Sequence, residues 1–194
     1  MKNILIIGAK GMLGQELVSI FKKDDDYKVT AWDKKEIDIT NPKQLEAKIT
    51  KLKPDIIFNA AAYNAVDLCE KDKVEFEKAK NINVKAPGYL AKIAKKNGAI
   101  LIHYSSDYVF SGMPEISEPY GCAGRCSSCS LHKDFVPEVG FNEDAIPEPI
   151  QKYGKTKLMG EEAVQKNGEK YYIIRLSKLF GKPAGAKDAK KSFF

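Results

Sequence analysis

With 194 residues, 43% of them apolar and 10% aromatic, the chain suffices for one domain around a real hydrophobic core, and disordered, collagen-like and low-complexity polymers are excluded. Lys and Arg number 32 against 26 acidic residues, and the net charge of +6 suits a phosphorylated small molecule as readily as nucleic acid. No apolar run approaches the roughly 20 residues that cross a bilayer, and residues 4–7 are too short for a secretory signal, so a cytoplasmic protein without a membrane partner is expected.

Residues 4–8 are a continuous apolar run closed by glycine, and Leu13, Leu17, Ile20 and Phe21 follow at helical spacing, which predicts a strand and then a helix. A strand is expected over 28–32, a helix over 42–52 with Leu45, Ile49 and Leu52 on one face, and a strand over 55–59. Next come a helix over 84–96 with Asn83 as its N-cap and a strand over 99–104. A helix beginning near Tyr153 and a strand over 171–176 complete the series. Strands alternating with helices need right-handed crossovers, which give a parallel sheet covered on both faces. The expected fold is therefore a doubly wound, Rossmann-like α/β domain spanning the chain. Residues 111–150, about forty without clear periodicity, interrupt it.

Gly8, Gly11 and Gly14 follow the first strand and open the first helix. In that context Gly8 allows a tight turn, Gly11 lets backbone approach a pyrophosphate, and Gly14 lets helix pack closely on strand. The helix N-terminus then offers unpaired N–H groups to the phosphates. Asp33, at the end of the second strand, suits an adenosine ribose and favours NAD, while Lys10, Lys34 and Lys35 suit a 2′-phosphate, so NADH and NADPH both stay open.

Tyr153 and Lys157 are four residues apart on a predicted helix, on one face and a turn apart. A lysine there lowers a phenol's pKa by favouring the phenolate, and such a phenol can give a proton to a carbonyl oxygen while a hydride reaches the carbon. Ser105 and Ser106 end a strand at the sheet edge where open α/β sheets place their ligands.

With these elements in place, the chain resembles the extended short-chain dehydrogenases, and within them the dTDP-4-dehydrorhamnose reductases. The resemblance is carried by Gly8 to Gly14, Asp38-Ile39-Thr40, Asn59-Ala60-Ala61-Ala62-Tyr63 with Val66-Asp67, Ser105-Ser106-Asp107-Tyr108-Val109-Phe110, Tyr153 to Lys157, and Arg175-Leu176-Ser177 with Phe180-Gly181. It implies Ser106 as the hydroxyl that polarises a sugar ketone, Tyr153 as the acid, and Lys157 as the group that binds the nicotinamide ribose and tunes Tyr153. It further implies cofactor contacts at Gly8, Lys10, Gly11, Met12, Leu13, Gly14, Asp33, Asp38, Ile39, Ala60, Ala61, Ala62 and Tyr63, with Asp107 and Tyr108 facing the substrate or nicotinamide. The implied reaction is reduction of the 4-keto group of dTDP-4-dehydro-rhamnose by NADPH or NADH. The methionine adenosyltransferase regulatory subunit resembles the same reductases, so a non-catalytic dinucleotide-binding module is the competing expectation.

Two departures from the family pattern stand out. The chain stops at Phe194, where the family continues into a sugar-nucleotide-binding lobe, so a fragment, one part of a split protein and a binding remnant are the open readings, with a homo-oligomer or a partner as one source of the lobe. An insert over about 113–139 carries Cys122, Cys126, Cys129 and His132 at C-x3-C-x2-C-x2-H spacing. In a reducing compartment that cluster points to metal, with zinc favoured over an iron–sulfur cluster and free thiols or a disulfide pair as the alternative. It would make the insert a lid, or the core of a metal-dependent interaction protein. Cys69 is expected to be a packing or surface thiol.

Overall fold

The computed structural model describes residues 1–111 and 141–184. Five strands alternate with helices: β1 (Lys2–Ile7), α1 (Met12–Phe21), β2 (Tyr27–Trp32), α2 (Pro42–Leu52), β3 (Ile56–Asn59), α3 (Val66–Lys71), α4 (Lys73–Lys80), α5 (Ala86–Asn97), β4 (Ile100–Ser106), α6 (Lys152–Asn167) and β5 (Tyr171–Leu176). The strands form one parallel sheet in the order β2-β1-β3-β4-β5, the doubly wound arrangement. Strand order reverses between β1 and β3, which opens a crevice at their C-terminal ends.

The run in β1 is continuously apolar because both its faces are covered. Ile4 and Ile6 meet Leu17, Val18 and Phe21 of α1 beneath one face, while Leu5 and Ile7 join Leu45, Ile49, Leu90 and Val164 on the other. The helix over 42–52 begins as its sequence dictates: Asn41 accepts the N–H of Gln44 at 3.1 Å, and Pro42 sits where a helix needs no N–H.

Two features depart from expectation. The first is α3 and α4, whose charged sequence hides an apolar stripe; α4 is announced instead by Asp72, which accepts the N–H groups of Val74 and Glu75. The second is Asn83, which caps no helix. It lies inside a π turn, Asn81–Lys85, that joins α4 to α5, and it is 1% exposed. Its Oδ1 accepts the Tyr63 N–H at 2.9 Å, and its Nδ2 donates to the Tyr63 carbonyl and to Thr156 Oγ1, both at 3.1 Å. The side chain thus ties the loop after β3 to α6. Asn83→Leu strands a buried N–H, and a loss of about 1–3 kcal/mol in chemical unfolding is expected.

Candidate active site

A cavity of about 600 Å³ opens at the C-terminal edge of the sheet. Gly11, Met12 and Leu13 from the first turn, Ala60 and Ala62 after β3, Ser105, Ser106, Asp107 and Tyr108 at the end of β4, and Tyr153 and Lys157 of α6 all line it. Gly8 holds φ +81°, a conformation that suits glycine, and a Cβ there would lie 2.7 Å from the Ala61 nitrogen. Helix α1 starts at Gly11 with no side-chain cap, so its first N–H groups face the cavity unclaimed by a cap.

Tyr153 enters the cavity because α6 is held from outside itself. The helix has no side-chain cap of its own; the Glu70 carboxylate of α3 accepts the N–H groups of Lys152 and Tyr153. The Tyr153 ring meets Tyr108 edge-on at 5.6 Å, and its hydroxyl donates to Asn64 Oδ1 at 3.3 Å. Burial first, then the neighbouring Tyr108 and Asp107, push this phenol up to about 12. This corrects the expectation that Lys157 draws the phenol down. The Lys157 ammonium, 2% exposed, instead donates to the Tyr104 carbonyl at 2.7 Å, and burial lowers its own pKa to about 8. Ser106 Oγ accepts the Tyr108 N–H at 3.2 Å and donates to Asp107 Oδ1 at 3.1 Å.

Beneath this wall, His103 of β4 is fully buried, and its Nδ1 lies 3.1 Å from Asn59 Nδ2. Burial, helped by the Lys157 charge, lowers its pKa to about 3. The unfolded chain takes up this proton near pH 6.5 and the folded chain only near 3, so stability is lost as pH falls through that window. Urea unfolding is expected to show about 2 kcal/mol less stability at pH 5 than at pH 7 from this group, a difference that shrinks in His103→Gln.

Other predicted contacts sit elsewhere. Tyr63 turns away from the cavity: its hydroxyl donates to Glu75 at 2.7 Å, and the ring packs on the cluster of Cys69, Ala79 and Tyr153. Asp38 Oδ1 accepts both the N–H and the hydroxyl of Thr40, closing a turn, while Ile39 and Ala61 pack on the core. Asp33 follows β2 beside the glycine turn, its Oδ1 taking the Lys34 N–H, and exposed Lys10 acts electrostatically on Glu36 nearby. Cys69 is buried. Cys122, Cys126, Cys129 and His132 lie outside the described residues, and among those described no group of three or more His, Cys, Asp or Glu side chains is placed to hold a metal. No helix among the described residues is long and apolar enough to cross a membrane.

Asn64, the acceptor for Tyr153, directly follows the Ala60-Ala61-Ala62-Tyr63 run, yet nothing in the sequence alone marks it as a site residue. Ser177, which the family-like Arg175-Leu176-Ser177 run contains, lines the cavity just past β5 with Lys178 and Leu179, and sequence reasoning assigns none of the three a site role. The rule that ligands gather at the C-terminal strand edge was the available signal for these three.

The family model described as the RmlD substrate binding domain matches residues 1–193. The chain belongs to this family. A dTDP-4-dehydrorhamnose reductase of Aggregatibacter actinomycetemcomitans is 34% identical over 181 residues, which are 93% of this chain and 53% of that protein. The methionine adenosyltransferase 2 subunit beta of Xenopus laevis is 32% identical across 93% of this chain and 48% of its own. Among solved structures, the dTDP-4-dehydrorhamnose reductase of Bacillus anthracis, in complex with NADP, superposes with a TM-score of 0.77 at 34% identity, covering 93% of this chain and 55% of that one. This chain spans about half the length of these relatives.

Proposed function

We propose that this chain is the dinucleotide-binding part of a reductase that converts the 4-keto group of a dTDP-4-dehydro-6-deoxy sugar to an alcohol with NADPH or NADH. The carrying observation is the convergence of Ser106, Tyr153 and Lys157 on one cavity with the uncapped start of α1. The residues present fit a dinucleotide: Gly8 and Gly14 let the turn and the helix start pack backbone on backbone where a Cβ would clash, which holds the N–H groups of Met12 and Leu13 at the cavity, where they suit a pyrophosphate. Asp33 suits the adenosine ribose, and Lys10, Lys34 and Lys35 suit a 2′-phosphate. The NADP in the Bacillus anthracis relative supports the phosphorylated cofactor.

When bound, the dinucleotide supplies a hydride to the carbonyl carbon. As the C=O bond becomes single, the Tyr153 hydroxyl proton moves to the ketone oxygen, while the Ser106 hydroxyl turns from Asp107 Oδ1 to donate its hydrogen bond to the same oxygen. A phenol held at about 12 is fully protonated at neutral pH, the state an acid needs, and an alkoxide is basic enough to take its proton. Lys157, at the same wall, binds the nicotinamide ribose. The remaining sugar contacts belong to polypeptide outside these 194 residues.

The test is NADH and NADPH oxidation by the purified chain with dTDP-4-dehydro-rhamnose. Turnover supports the reductase. The similarity to methionine adenosyltransferase 2 subunit beta favours a second reading, a dinucleotide-binding subunit. Tight cofactor binding without turnover rejects a reductase that works alone and leaves a dinucleotide-binding subunit or an incomplete reductase, which adding the missing sugar-binding polypeptide tells apart: turnover then restores the reductase reading, and its continued absence rejects it.

A further inference from the structure

Glu161 is 1% exposed and sits four residues after Lys157 on α6, so both side chains rise from the same face one turn apart. A carboxylate and an ammonium so placed, both out of water, attract each other strongly. Yet the Lys157 ammonium is on the Tyr104 carbonyl, at the cavity wall. The Glu161 carboxylate is taken by a different cation. Arg175 of β5 grips it in a fork, with Nη2 to Oε2 at 2.8 Å and Nε to Oε1 at 3.1 Å.

Arg175 is itself held on two further sides. Its guanidinium lies 5.0 Å from the centre of the Phe110 ring, which stacks on Phe141 at 4.3 Å, and its Nη1 donates to the Glu143 carbonyl at 3.3 Å. Phe110 and Phe141 flank the two ends of the segment between residues 111 and 141, so the same arginine gathers both ends of that segment against α6.

We infer that Arg175 is a positioning residue for the site: by occupying Glu161 bidentately, it keeps that carboxylate off Lys157 and leaves the ammonium on the Tyr104 carbonyl at the cavity wall. The inference rests on the proposed role of Lys157 in holding the dinucleotide. The groups that bear on Lys157 among the described residues are few. Glu161 shares its helix and raises its pKa, Arg175 acts through Glu161, and His103 of β4 is held neutral by burial. Tyr153 and Tyr104 stay protonated, since both phenols are raised.

The experiment is NADH binding to the full 194-residue chain from pH 6 to 10, in the native form and in Arg175→Met, Arg175→Met with Glu161→Met, and Lys157→Met. The native chain is expected to lose affinity above about pH 8, as Lys157 gives up its proton. In Arg175→Met the freed carboxylate draws the ammonium to itself, so affinity at pH 7 falls at least about tenfold and the alkaline limb moves up by about a unit. Removing both partners restores affinity and returns the limb to about 8 or just below. A general loosening of α6 would weaken binding without moving the limb, and that result, or an unchanged affinity in Arg175→Met, overturns the proposal. If Lys157→Met binds NADH as well as the native chain does, the reading of Lys157 falls and takes the proposal with it; a normal Lys157 effect with an unmoved limb sinks the Arg175 role alone.

Discussion

Tyr153→Phe is expected to lower turnover of the keto sugar by about 10²–10⁴-fold, the usual worth of a positioned general acid. The substitution removes one oxygen from a ring whose other contacts are apolar. The edge-on packing against Tyr108 survives, and so does the hold on the helix start, because Glu70 grips the backbone N–H groups of Lys152 and Tyr153 rather than the side chain. What disappears is the bond to Asn64 and the proton. Dinucleotide affinity, which depends on the glycine turn, Asp33 and Lys157, should stay within about twofold, since the proton is given up only in the transition state and Asn64 is not among the groups proposed to hold the dinucleotide. Steady-state rates and fluorescence titration of NADH on the same preparation check both halves. Turnover at the native rate in the Phe variant would transfer the acid's role elsewhere, and Asp107 on the same wall would be the next group to test.

The sheet was legible because parallel strands buried on both faces write themselves as unbroken apolar runs; Ile4 to Ile7 needs no alternation to be read as a strand. The catalytic side chains were legible for a related reason: strand ends and helix starts fix where Ser106, Tyr153 and Lys157 must emerge, and their spacing places them on one edge. Features set by tertiary contact were not legible. Asn83 reads as a cap because asparagine before a helical run normally is one, yet its amide finds three partners in the core and the helix passes straight through it. Tyr63 sits in a run that faces the crevice, but Glu75, on a helix with little apolar signal, takes its hydroxyl away from the cavity. The pKa of Tyr153 followed the same pattern. Spacing to Lys157 was visible in the sequence, whereas the burial that raises the phenol and the Tyr104 carbonyl that holds the ammonium were not.

Gly14→Ala is expected to cost about 3 kcal/mol, the upper end of ordinary overpacking, and to weaken NADH binding at least about tenfold. The added methyl would stand 2.1 Å from the Gly8 carbonyl oxygen, 2.8 Å from its carbon and 2.9 Å from the Ala9 Cα. All three are backbone atoms, so no side chain can swing aside. Nor can the turn retreat, since Gly8 is already wedged so closely on the Ala60–Ala61 backbone that a Cβ there would lie 2.7 Å from the Ala61 nitrogen. The remaining escape is for α1 to lift away from β1, which uncovers Ile4, Ile6 and Phe58 and carries the helix's first N–H groups off the cavity. Stability and affinity should therefore fall together. Gly98→Ala separates the two effects: its φ of +70° is strained for alanine, at a cost of about 1 kcal/mol, but a Cβ there meets nothing within 4 Å and the helix end it closes is remote from the first glycine turn. Chemical unfolding and NADH titration of both variants decide the matter. A Gly14→Ala protein that loses stability yet binds NADH at native affinity would show that the start of α1 does not hold the phosphates.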